Sequence, residues 1–386
     1  MKICHINLIG YSDEMEYHDN ILPRKHKELG FDVYRIIHAH GLTVNGFMKI
    51  REYGEYTDRD NILNIVLEDG KPTPLLKLRT YIGLYENLVK LHPDIIFVHC
   101  CQFYNIKDVI RYKKTFPQVK LFVDNHTDYI NTPVNSIKRK LFYYFIIGHF
   151  ARSVAKYADK FWGVTPSRVD YLKKVYKIKS NNLDLLVMPG DNNKIHPEKR
   201  EEYRNDFCKQ FDIKYNDFIV VTGGKIDKRK NFHLLIEAFK GLPYNCKLLI
   251  FGTPDKEMKP YFNSLPFNVI YTGWVTAEQT YKYFVMADLG VFPGTHSVLW
   301  EQAVSSGLPC IFKYWEGMDH VNTNGNARMM DLDDEHEIVT FLKENIIRLS
   351  DKGQDFKKMD SIAKTRGMQL FSYPYIAYKS IGISHA

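Results

Sequence analysis

The sequence predicts an α/β protein with two Rossmann-like, doubly wound parallel-sheet domains facing a cleft. Three observations carry that expectation. Short apolar runs alternate with amphipathic helical stretches from end to end. The alternation breaks once, near the middle. Two of the apolar runs, at 218–222 and 289–292, end in glycine-containing loops that open into helices, where free backbone N–H groups suit a phosphate.

The strands expected in the first half are 2–8, 32–37, 95–100, 120–124 and 160–165. Those in the second half are 218–222, 247–251, 269–272, 289–292 and 310–313. The break at 189–216 begins Pro-Gly-Asp-Asn-Asn, continues as a charged helical stretch and holds no buried strand, so the domain boundary belongs there. This gives a first domain over 1–195, a second over 196–365, and a terminal helix over 366–386 that either packs back on the first domain or simply caps the second.

A chain of 386 residues that is 45% apolar can bury two cores, and neither value suits a disordered chain. No run of about 18 apolar residues occurs, and residues 1–10 are too polar and too short for a secretion signal, so a cytoplasmic location is expected. The cysteines at 4, 100, 101, 208, 246 and 310 show no C-x-x-C spacing, so neither a zinc site nor a disulfide framework is expected. The net charge of +8 is uneven: residues 107–179 hold sixteen Lys and Arg against five acids. A block of this kind points to an anionic partner, a membrane surface or nucleic acid.

The residues that carry chemistry cluster after strand ends. Lys225 and Lys230 lie five apart after the 218–222 strand, so both can reach a pyrophosphate above the strand's carboxyl end, although a solvated turn at 228–230 explains the same charges. Glu301 falls in the first turns of the helix after Pro293-Gly294-Thr295-His296-Ser297. A carboxylate there accepts hydrogen bonds from vicinal hydroxyls such as those of a ribose, or merely favours the helix dipole. His126 follows a strand in the first domain and is expected to point into the cleft. Gly273, Trp274 and Val275 read as a strand end whose backbone meets a flat base, with Trp274 as plain core the alternative.

Taken together, these motifs resemble the retaining nucleotide-sugar glycosyltransferases of family 4, which have the GT-B fold. The resemblance is strongest over 218–321, through Gly223-Gly224-Lys225, Lys230-Asn231-Phe232, the Leu248 to Gly252 strand end, Tyr271-Thr272-Gly273-Trp274-Val275 and Glu301-Gln302-Ala303. It also takes in Asp124-Asn125-His126, as a sugar-contacting site, and the 371–377 stretch, as a helix that crosses back. It implies that His126, Lys225, Lys230 and Glu301 are catalytic, with Lys225 standing where an arginine is usual and Glu301 on the ribose. It implies donor binding at Gly10, Gly224, Gly252, Gly273, Trp274, Val275, Thr295, His296, Ser297 and Val298. The first glutamate of the family's paired signature is absent, with Pro293 in its place, so His296, Ser297 and the backbone N–H groups of 295–298 are the candidates to replace it. The glycine-rich loop after the first strand is reduced to Gly10.

By the same resemblance no metal and no cofactor is needed, and Asp331-Leu332-Asp333 reads as solvated surface. The reaction implied is transfer with retention from a nucleotide-diphosphate sugar, a UDP-sugar foremost, to a glycan or lipid-linked acceptor in cell-surface polysaccharide or glycolipid synthesis. In residues 137–157 a Lys138-Arg139-Lys140 cluster leads into aromatic and aliphatic residues at helical spacing. That pattern fits an anionic membrane surface at the inner face, with a buried apolar face the alternative. Two other functions compete. A UDP-sugar epimerase on the same scaffold needs a pair of proton-abstracting acids that the sequence does not show. Nucleic-acid binding lacks any helix-turn-helix, RNP or finger pattern.

Overall fold

The structure is a computed structural model that describes residues 1–9, 18–43, 46–129, 132, 135–179 and 181–383. The chain divides into two compact units, Met1–Val187 with Pro374–Ala386, and Met188–Tyr373.

The first unit is built on a mostly parallel sheet. Its strands are β1 (Lys2–Asn7), β2 (Asp32–His38), the hairpin strands β3 (His40–Thr43) and β4 (Gly46–Lys49), β5 (Gly54–Thr57), β6 (Leu63–Asp69), β7 (Tyr81–Ile82), β8 (Ile95–His99), β9 (Lys120–Asn125), β10 (Lys160–Gly163) and β11 (Leu183–Leu185). The sheet order is β11-β10-β9-β8-β1-β2-β6-β5, parallel except for β5, which runs antiparallel to β6; the short β7 also pairs antiparallel with β6. The central strands β1 and β8 are buried almost throughout, as a sheet covered on both faces requires. The hairpin, β5, β6, β7 and β11 are not among the expected strands. β6 has a buried apolar run, Ile65 to Leu67, between Leu63-Asn64 and the acidic pair Glu68-Asp69.

The second unit holds a six-stranded, fully parallel sheet in the order β14-β13-β12-β15-β16-β17. Its strands are β12 (Phe218–Ile226), β13 (Cys246–Pro254), β14 (Val269–Tyr271), β15 (Leu289–Phe292), β16 (Cys310–Lys313) and β17 (Ala327–Met330). Strands β12 and β13 run further than their apolar runs suggest, in register through Gly224 opposite Gly252 and Lys225 opposite Thr253. Glycine makes that extension feasible. Gly224 and Gly252 have φ of +112° and +124°, and a Cβ on Gly252 would lie 1.8 Å from the Gly224 carbonyl oxygen.

The units divide at Val187 rather than at residue 195, because the Gly190 N–H donates to Ser305 Oγ (2.6 Å) and the Asp191 N–H donates to Tyr281 Oη (2.8 Å), both within the second unit. The C-terminal stretch rejoins the first unit at Pro374 rather than at 366. Residues up to Phe371 still pack in the second unit, where Ser305 Oγ donates to the Phe371 carbonyl at 2.8 Å. Beyond Pro374 the helix Tyr373–Ser380 is tied to the first unit: Trp162 Nε1–H donates to the Ser380 carbonyl at 3.0 Å, and His26 Nε2–H donates to that of Ala377 at 2.9 Å.

Residues 137–155 form one helical run, Ile137–Phe142, a π-helical turn Tyr143–Ile147, and Gly148–Ala155. Its second half buries Ile147, Ala151, Val154 and Ala155 in the core, whereas Ile137, Leu141 and Phe145 of the first half are 74%, 50% and 58% exposed. The buried-face alternative therefore holds for the second half, and the first half leaves its apolar side chains exposed. Among the described residues no helix is long and apolar enough to cross a membrane.

Candidate functional site

In the second unit, parallel pairing of β12 with β13 and β15 brings their carboxyl ends to one edge of the sheet, where open α/β sheets bind ligands. The loop after β12 contains a 3-10 turn, Lys228–Lys230, ahead of the helix Phe232–Phe239. The loop after β15 leads to the helix Leu299–Ser305. Four hydrogen bonds join the two loops. The Thr295 N–H donates to the Arg229 carbonyl (3.0 Å), Asn231 Nδ2–H donates to that of Pro293 (3.1 Å), and Lys230 Nζ donates to the carbonyls of Thr295 (2.5 Å) and His296 (2.9 Å).

Gly294 permits this approach, since a Cβ there would lie 2.3 Å from the Arg229 carbonyl oxygen and 2.4 Å from Lys230 Cα. Gly294→Ala is therefore expected to push the loops apart and to weaken at least tenfold the binding of a nucleoside diphosphate that the sequence leads one to expect at this edge. A titration of the variant with UDP checks this, and unchanged affinity would show that the contact does not matter.

Lys230 is half-buried, and its pKa falls to about 8, chiefly through burial, with Arg229 adding to the fall and Asp227 opposing it. Two of its three N–H donors are occupied by loop carbonyls, leaving one for a ligand. Lys225 lies within β12 rather than in a loop after it, and is exposed. The Thr295 N–H is spent on Arg229, so it is not available to replace the absent first glutamate.

Glu301 is fully buried rather than open at the helix start. Its Oε1 accepts from His296 Nε2–H at 2.7 Å and from His320 Nε2–H at 2.9 Å. Burial by itself would raise the pKa of this carboxyl, but the two imidazoles outweigh it and hold the group well below its ordinary range. The other oxygen, Oε2, is buried and has no hydrogen-bond partner among the described residues. His320 has no counterpart in the sequence reading: it lies nineteen residues after Glu301, in a loop, with no motif to mark it.

Gly252 and Gly273 meet through the Gly252 N–H, which donates to the Gly273 carbonyl at 2.7 Å. Gly273 is left-handed at φ +75°, and Trp274 beside it is 73% exposed, so Trp274 is surface and not core. Val275, Ser297 and Val298 fall in the same two loop regions, after β14 and β15. Asp333 forms an ion pair with Lys313 at 2.7 Å and is otherwise surface, as Asp331 is. Gly10 lies outside the described residues.

His126 belongs to the first unit, just past β9, with Nε2 3.4 Å from Asp124 Oδ2. Asp124 anchors a buried row of imidazoles. His99 Nδ1 is 2.8 Å from its Oδ2, His99 Nε2 is 3.0 Å from His5 Nδ1, and His5 Nε2 is 3.0 Å from His26 Nδ1. His26 Nε2 ends the row on the Ala377 carbonyl. Protons can be counted along it. Four contacts between two acceptors at the ends need four protons, and three neutral imidazoles carry three.

The Asp124 carboxyl is buried, which favours the neutral acid, but His126 and His99 draw its pKa well below the ordinary value, so it is ionised. With each ring donating toward Ala377, the fourth proton belongs to the row beside the Asp124 carboxylate. Burial holds His5 well below its ordinary pKa and His26 down to about 4. Both stay neutral in the fold well below pH 6.5, His26 down to about 4, whereas an unfolded chain protonates them near 6.5. Unfolding therefore takes up protons between about pH 6.5 and 4, and stability should fall as pH drops through that window. A slope of stability against pH giving proton uptake of at least one per chain near pH 5.5 is the expected result, and a flat profile would contradict it.

Among the described residues two groups are close enough to share a cation, Cys100 with Asp124 and His126, and His296 with Glu301 and His320, with ligand atoms within 4.8 Å of one another in each.

Residues 204–363 match the family "Glycosyl transferases group 1". The chain is a glycosyltransferase with a group 1 domain. This transferase is 23% identical over 252 residues to the processive diacylglycerol alpha-glucosyltransferase of Acholeplasma laidlawii, covering 59% of this chain and 69% of that protein. Its fold is GT-B. Solved structures similar to it include sucrose-phosphate synthase from Thermosynechococcus elongatus (TM-score 0.63, 16% identity, 98% of this chain and 96% of that one). Another is HepE of Anabaena in complex with UDP and glucose (TM-score 0.61, 14% identity, 98% of both chains).

Proposed function

We propose that this glycosyltransferase moves a hexosyl group from a UDP-sugar to a lipid-linked acceptor, with retention and without a bound metal or cofactor, at an anionic membrane surface. The observation that carries the donor half is the pair of loops joined through Lys230, with the buried Glu301 Oε2 lacking a donor beside them.

Lys230 and Lys225 face the diphosphate, the remaining N–H of Lys230 donating to a phosphate oxygen. Glu301 Oε2 accepts from a ribose hydroxyl while His296 and His320 hold the carboxylate in place. The base lies along Gly252, Gly273, Trp274 and Val275. His296 and Ser297 offer hydrogen bonds to the transferred sugar. As the bond from the anomeric carbon to phosphate breaks, charge grows on the leaving oxygen, where ammonium groups stabilise it. That oxygen takes the acceptor's proton as the new glycosidic bond forms on the same face, so no side chain has to be a strong base.

HepE in complex with UDP and glucose supports this donor, and the diacylglycerol glucosyltransferase supports a lipid acceptor. The exposed apolar first half of the 137–155 helix, carrying Lys138, Arg139 and Lys140, supports the membrane surface.

A thermal-shift screen against UDP-, GDP- and ADP-sugars in EDTA tests the donor. A ligand at a hundred times its dissociation constant adds roughly 2.7 kcal/mol of stability. UDP-sugars should raise the melting temperature without added metal. A shift only with GDP- or ADP-sugars, or only with a divalent ion, would overturn that part of the reading.

A further inference from the structure

In the first unit a groove runs from the carboxyl edge of the sheet to the exposed half of the 137–155 helix. Its inner part, about 320 Å³, is lined by Leu8 and Ile9 after β1, Gln102 after β8, and Arg79. Its outer part, about 510 Å³, is almost wholly apolar, with Leu75, Leu76, Phe145 and Ile146 on its walls. Leu78, Tyr104 and Phe150 line both parts, so the two are continuous.

The two ends differ in chemistry. At the inner end Gln102 Nε2–H donates to Asn125 Oδ1 at 2.8 Å, next to His126, so polar groups meet the sheet edge there. At the outer end Leu75 is 90% exposed and Phe145 lies on the π-helical turn, a local widening often found where a helix serves a function. Cations flank the apolar mouth. Lys138, Arg139 and Lys140 precede it on the same helical run, and a basic depression of about 560 Å³ lined by Lys107, Arg111, Lys114 and Lys156 adjoins it, with Lys107 Nζ 4.0 Å from the Tyr104 ring centroid.

An apolar slot ringed by positive charge and graded to polar at its inner end matches an amphiphile drawn from an anionic leaflet. We propose that this groove holds the hydrocarbon tail of the lipid acceptor, with the acceptor's polar head at the Leu8–Gln102 end and the leaflet phosphates against the flanking lysines and arginines. The inference rests on the lipid-acceptor reading above and adds where the tail sits. Each methylene buried changes affinity roughly fourfold, so tail length becomes a determinant of the acceptor.

The test uses the full chain with vesicles of phosphatidylcholine and phosphatidylglycerol containing a phosphatidylglycerol with a diazirine in its acyl chain. After illumination, labelled peptides are mapped. Labelling within 73–78, 104 and 145–150 is expected, together with at least a tenfold loss of that labelling in a Leu75→Glu, Leu76→Glu variant of unchanged melting temperature. Vesicle sedimentation should fall in the Lys138→Glu, Arg139→Glu, Lys140→Glu variant. Labels confined to 137–144, or none while the protein still sediments with the vesicles, would overturn the groove. Binding of UDP to the lipid-free protein is measured alongside. Its absence would count against the transfer reading itself, whereas its presence without groove labelling would count against the groove alone.

Discussion

Lys230→Ala is expected to lower turnover by about 10²- to 10³-fold, the size seen when one preorganised donor to a developing anion is removed. Two losses combine. The ammonium no longer faces the leaving phosphate, and the carbonyls of Thr295 and His296 lose the group that joins their loop to the turn before the helix Phe232–Phe239. Lys230→Arg separates them, since it keeps the charge while changing the geometry. Because burial lowers the Lys230 pKa to about 8, kcat/KM in the wild type should decline as pH rises through that value, where the free enzyme sheds the proton. The arginine variant should lack this alkaline limb at any activity it retains. A full measurement is turnover and kcat/KM from pH 6.5 to 9.5 for the three proteins. Activity in Lys230→Ala above about a tenth of wild type would remove Lys230 from the diphosphate.

Glu301→Gln should lose at least tenfold in kcat/KM for the donor while keeping its fold. The amide oxygen can still accept from His296 and His320, but it presents no anion to a ribose hydroxyl, and hydrogen bonds to charged groups are worth about 1.5–3 kcal/mol. Glu301→Ala is a different experiment. It leaves two N–H groups facing a cavity, and an unsatisfied buried donor costs about 1–3 kcal/mol, so stability as well as activity should drop. Denaturation midpoints of both variants, read beside their kinetics, distinguish the roles. A glutamine variant with wild-type kcat/KM would make Glu301 a purely structural anchor for the two histidines.

Five of the six strands of the second unit, β12 to β16, were legible in the sequence as short apolar runs, and so was the parallel character of their sheet. The continuation of β12 through Gly223-Gly224-Lys225 was not, because glycine is a poor strand former in isolation and only the facing Gly252 makes the extension possible. β6 and β17 were missed: single short runs, half-hidden by flanking charged residues, carry little periodic signal. Within the site, Lys230, Thr295, His296 and Glu301 were legible as neighbours because each follows a strand that ends at the same sheet edge. The burial of Glu301 was not, since it depends on His320, which joins through tertiary packing alone.

The imidazole row of the first unit spans sequence separations of 21, 94 and 351 residues, beyond any local pattern. One signal was present: His5 stands in the middle of an otherwise apolar buried strand, where an unpartnered ring would be costly.

The claim on which the catalytic reading depends is that lysine and backbone groups of the second unit hold the donor diphosphate without a cation. Isothermal titration of UDP into the protein in EDTA measures this directly. Binding undiminished by EDTA, and weakened about a hundredfold or more by Lys230→Ala, is the expected result. Binding that appears only with an added divalent ion, or that is indifferent to Lys230, would contradict it.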